Sequence, residues 1–148
     1  MDIAIDKQKV IEDVLMNVSI VARNLVDSNR NSLYDKVRIQ ERDNDLVRTY
    51  VDASHCIILK ELNSFIETND GDNITLANNR RLNNAAISDL PVVIHNYMVN
   101  YAAAEWMKIK AVEFAPVFIG RSEEHLKTIF EKLRFKTEPV MKKYKETV

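Results

Sequence analysis

The segment from Leu90 to Val112 constrains this chain more than any other. Sixteen of its 23 residues are apolar, and they fall on every side of a helical cylinder. A helix that is apolar all round must be covered all round. Ser88 or Asp89 can cap it, and Pro91 is tolerated in its first turn. The fold must therefore surround one central helix with its own elements, or share the task with a second subunit. Ala102, Ala103 and Ala104 let a neighbouring helix come close. The stretch is no membrane span: its longest uncharged run, Leu90 to Ala104, is 15 residues and includes His95, Asn96 and Asn100.

Other periodic segments can supply that cover. After Asp6, a candidate N-cap, Ile11, Val14, Leu15, Val18, Val21, Ala22 and Leu25 recur at helical spacing, which predicts a helix over 6–27. Residues 27–32 read as a loop, and 33–40 fit either a short helical turn or an irregular arm. A second long helix opens near Arg42 or Asp43 and runs to about Ile66, with Asp43 and Asp45 favouring its N-terminal dipole. Residues 67–84 interrupt it with a polar stretch, in which Asp70-Gly71 signals a turn and Ile74-Thr75-Leu76 a short strand. Pro116 and Gly120 break the pattern after the apolar helix. Ser122 then reads as the cap of a last helix, with Leu126, Ile129, Phe130 and Leu133 as its inward stripe, ended or kinked by Pro139. The expected fold is all-α: a four-to-five-helix bundle with a polar loop, or a short β-hairpin, between the second and third long helices. Residues 1–133 form the bundle domain and 134–148 a basic C-terminal extension.

Composition removes several functions. The chain has 148 residues, the size of one domain. Its only glycines, Gly71 and Gly120, lie 49 positions apart, so no glycine-rich phosphate cradle exists. Cys56 is the single cysteine and has no internal disulfide partner. The first six residues lack the basic and apolar regions of a signal peptide. Formal net charge is −1, but it is uneven: residues 1–120 carry 13 basic against 17 acidic side chains, and residues 121–148 carry eight against five. A mildly acidic body ends in a basic segment.

No constellation points to catalysis, a metal or a cofactor. His55 and Cys56 are adjacent, so on a helix they point about 100° apart, and His95 and His125 come from other segments. The acidic loop around Gly71 fails the calcium pattern, because Ile66 and Ala77 fall where ligands are required. Glu105, in the apolar helix near Tyr101 and Lys108, reads as one half of a buried Glu–Lys or Glu–Tyr contact, with a catalytic acid as the other reading. Tyr97, Tyr101 and Trp106 read as core or subunit packing, with a small-ligand pocket as the other reading. The basic residues Arg134, Lys136, Lys142, Lys143 and Lys145 suit either a solvated helix end or contact with nucleic acid or an acidic protein face.

The order of elements, with an apolar helix opening "SDLPVVIHNYMVNYAAAEWM" and a later helix "SEEHLKTIFEKLRFK", resembles the small helical head–tail connector (adaptor, or neck) proteins of tailed bacteriophages and prophages. The resemblance rests on residues 82–112 and 122–136. It implies a non-enzymatic structural virion protein, made in the host cytoplasm, that assembles as a homo-oligomeric ring between portal and tail. Its implied partners are copies of itself, the portal protein and the next neck or tail protein, with non-specific DNA contact in the channel and no membrane. The segments that leave the bundle would then carry the interfaces: Asp70, Gly71, Asp72, Arg80 and Arg81 in the loop, and Arg134, Lys136, Lys142, Lys143 and Lys145 in the tail. A helical nucleic-acid-binding or regulatory module, using the same basic tail, is the alternative.

Overall fold

The computed structural model describes residues 2–76 and 87–134, with only the backbone of Arg134. These residues are mostly helical, but the expectation of an all-α chain needs correction. A small antiparallel sheet is built from β1 (Asp2–Ala4), β2 (Ile66–Asp70) and β3 (Asn73–Leu76), in the order β1-β3-β2. The central strand is the segment expected to be extended. Its partner β1 was not expected, although Ile3-Ala4-Ile5 alternates as a half-buried strand should. Ile3 pairs with Ile74, and both are buried. Ile74 and Leu76 face the same apolar layer two residues apart. Burying each such side chain contributes roughly 1.5–3 kcal/mol.

Four long helices accompany the sheet: α1 (Lys7–Arg23), α3 (Asn44–Leu62), α4 (Leu90–Lys110) and α5 (Ala115–Arg134), with the single-turn α2 (Tyr34–Val37) between the first two. α4 packs against α1, α3 and α5, most extensively against α5. That covers most of the helix, but Val92 and Ile109 near its two ends stay exposed, at 61% and 60%. Ala102, Ala103 and Ala104 are all buried, as are Trp106 and Met107. The indole N–H of Trp106 donates to the carbonyl oxygen of Val37 at 2.7 Å. This bond ties α2 to the central helix and gives the ambiguous 33–40 segment a fixed place.

The ends of the helices have local causes. Asp6 caps α1: its carboxylate accepts from the Lys9 amide at 3.1 Å. Ile5 and Val10, at the two positions of a hydrophobic staple, are both buried. Before α3, a short 3-10 turn (Glu41–Asp43) closes on the Gln40 amide, which donates to Asp43 Oδ2 at 3.0 Å. Asp89 precedes α4 but makes no side-chain cap; its carboxylate meets Lys132 Nζ of α5 at 2.6 Å instead.

α5 corrects the largest sequence expectation. It starts at Ala115, so Pro116 lies in its first turn and Gly120 in its interior. Proline is no breaker there, because the first amides of a helix have no intrahelical acceptor anyway. Ser122 is not a cap. Its hydroxyl donates back to the Ile119 carbonyl at 2.8 Å, inside the helix. Ala115, Phe118, Ser122, Ile129 and Leu133 are buried along one stripe, and the polar Ser122 hides its continuity in the sequence.

Candidate functional site

The hairpin of β2 and β3 leaves the helices as an acidic arm. Glu67, Asp70 and Asp72 are exposed, along with most residues from Glu67 to Asn73. Gly71 turns the arm with φ +57°, in the left-handed region that favours glycine. Between Ile66 and Thr68 the register slips, which makes a bulge at Glu67 on an edge strand. Bulges and edge charges both discourage pairing with a foreign strand. The arm therefore presents side chains rather than an open backbone ladder.

The tip is nevertheless fixed. The Ile5 amide donates to the Asp72 carbonyl at 2.7 Å, and Thr75 Oγ1 donates to Asp2 Oδ1 at 3.0 Å. Lys7 Nζ lies 2.9 Å from Asp52 Oδ1 and 3.9 Å from Asp72 Oδ1, which links α1, α3 and the arm. Close to this cluster His55 is buried on α3, and its Nε2 has no hydrogen-bond partner among the described residues. Burial holds the imidazole below its usual pKa; Lys7 adds to that effect, while Asp72 and Asp52 oppose it. Cys56, its neighbour in sequence, is exposed and free.

Of the residues expected at an interface, Asp70, Gly71 and Asp72 are brought together at this tip. Arg80, Arg81, Lys136, Lys142, Lys143 and Lys145 lie outside the described residues, as does the side chain of Arg134. Asp13 and His95 form a polar contact that sequence reasoning missed. His95 Nε2 sits 2.6 Å from Asp13 Oδ2 and joins α4 to α1. This bond to His95 holds the Asp13 carboxyl below the usual range. The two residues are 82 positions apart, and no local pattern links them.

The aromatic group of α4 divides. Trp106 turns to Val37, whereas Tyr97 and Tyr101 face the seam with α5, their ring centres 6.0 Å apart. There they line a cavity of about 200 Å³ with Glu105, Lys108, Ser122 and Leu126. Glu105 Oε1 accepts from Lys108 Nζ at 2.7 Å: the expected Glu–Lys contact is made, but at the exposed rim and not in the buried setting expected for it. Burial pushes the Tyr97 hydroxyl up to about 12. A larger cleft of about 510 Å³ opens at the far end of α4, where Val26 and Val112 are exposed at 59% and 66%.

Among the described residues, no three His, Cys, Asp or Glu side chains converge as a metal ion would require. No described helix is long and apolar enough to cross a membrane. No family model, curated protein or solved structure matches the chain.

Proposed function

We propose that this chain is a structural assembly protein, a helical-bundle subunit of the head–tail connector of a tailed phage, forming a ring between portal and tail. The observation that carries the reading is the acidic arm: exposed over most of Glu67 to Asn73, yet pinned at its tip by β1 and Lys7. An arm of this kind offers a preordered surface, so a partner need not meet the entropic cost of ordering it. A ring of identical subunits needs two different, mutually complementary patches. The acidic arm and the basic residues Arg134, Lys136, Lys142, Lys143 and Lys145 have the required opposite charge. The resemblance of residues 82–112 and 122–136 to connector proteins supplies the setting, and with it the portal, the next tail component and the virion as location.

The test is assembly. Negative-stain electron microscopy and mass photometry of the purified chain, alone and with a tailed-phage portal ring, should show closed rings of one stoichiometry. The double variant Glu67→Lys/Asp70→Lys should fold as the parent does and fail to form rings. A chain that stays monomeric with and without portal overturns the reading. So does salt-sensitive binding of DNA by the isolated chain in place of assembly, which is the outcome expected of a nucleic-acid-binding module.

A further inference from the structure

The cavity between α4 and α5 has features that packing alone does not require. Tyr97 is 3% exposed, and its hydroxyl has no hydrogen-bond partner among the described residues. The hydroxyl is not sealed in the core, since Tyr97 lines the cavity, so it is available to a molecule that enters there. Like any tyrosine at neutral pH, it is protonated and can both donate and accept.

The charges around the cavity are mainly acidic. Glu105 and Glu123 face it against Lys108 alone. Lys108 takes Oε1 of Glu105 from the rim, where its side chain is 49% exposed, and Oε2 has no partner among the described residues. The remaining walls are apolar or aromatic: Ala104, Ile119, Leu126 and the rings of Tyr97 and Tyr101. Aromatic faces attract cations through their quadrupole. A volume of about 200 Å³ is below the roughly 300–1,000 Å³ of sites for drug-sized ligands, so the occupant is a small molecule.

We propose that this cavity binds a small organic ammonium compound. Its apolar body lies against Tyr97, Tyr101 and Leu126, and its charged nitrogen lies against Glu105 and the Tyr97 hydroxyl oxygen. A carboxylate ligand would be repelled by Glu105 and Glu123. A neutral one would draw nothing from the net negative charge of Glu105, Glu123 and Lys108. The site is independent of the assembly surfaces above, since it uses neither the arm nor the tail.

The experiment uses the full chain and three probes of similar shape: phenethylamine, 2-phenylethanol and phenylacetate. Saturation-transfer NMR and isothermal titration should show saturable binding of the amine, at least about tenfold weaker binding of the alcohol, and none of phenylacetate. Glu105→Gln should weaken the amine about tenfold or more. Lys108→Met frees both carboxylate oxygens and should tighten it, a change of opposite sign that a merely structural role would not give. Circular dichroism checks that each variant is folded, and Lys108→Met on the rim serves if Glu105→Gln is not. Failure of the amine to saturate means that the cavity holds only water, and the proposal is wrong. It is equally wrong if the alcohol binds as well as the amine, or if folded variants leave the amine's affinity unchanged.

Discussion

His55 places a titratable ring inside the fold with one nitrogen that has no hydrogen-bond partner among the described residues. Burial holds its pKa below the ordinary value near 6.5. The unfolded chain therefore takes up a proton that the folded chain resists. Stability is complete above about pH 6.5 and declines as the pH falls through and below that value. Melting temperature should drop between pH 7.5 and 5.5, and His55→Leu should flatten the slope; an unchanged slope would rule His55 out as its source. Asp13 is the opposite case. His95 lowers its pKa, so its contribution survives until the pH falls through the carboxylate range, and acid scans of the two effects separate on the pH axis. In the sequence, His55 could have been placed by its neighbours Val51 and Ile58 on the inward face of α3. The Asp13–His95 contact depends on how α1 and α4 pack, which periodicity does not encode.

Gly120 shows why an element can be misread when its residues are taken one at a time. It lies inside α5, and a Cβ built on it would meet nothing within 4 Å. Glycine there costs roughly 0.5–1 kcal/mol against alanine through backbone entropy. Gly120→Ala should stabilise the chain by about that amount in urea unfolding, without changing the denaturant slope. Destabilisation would mean that the helix is broken at this point. Pro116, Gly120 and Ser122 each carry a breaker or cap signal, and together they obscured two turns of helix. What overrides them is tertiary: Ala115 and Phe118 are buried and continue the stripe of Ile129 and Leu133. α1, α3 and α4 were legible because their apolar periodicity is long and their starts are marked by Asp6, Asp45 and Pro91, but α3 ends at Leu62, short of the expected Ile66, which opens β2. β1 was not, because three residues carry too little pattern, and their partner lies far along the chain.

At the scale of the whole molecule, α1, α3, α4 and α5 share one apolar core among the described residues. A chain ending at Leu133 should keep its helical circular dichroism and a single cooperative melt, yet no longer join the ring. Loss of cooperative melting would show that the tail belongs to the core. The acidic tip was legible as a turn from Asp70-Gly71. That it is held by Ile5 and Lys7 was not, since both contacts depend on β1 lying beside β3.

That pairing also sets an order of events. Thr75 and Asp2, joined through their side chains, are 73 positions apart. At a synthesis rate of about 5–20 residues per second, β1 waits roughly 4–15 s before β3 has even been made. By then the residues of α1 and α3 already exist and can form their local turns. β1 can therefore pair only after both α1 and α3 have been made, and Ile3 has no cross-strand partner on the ribosome until Ile74 arrives with the hairpin.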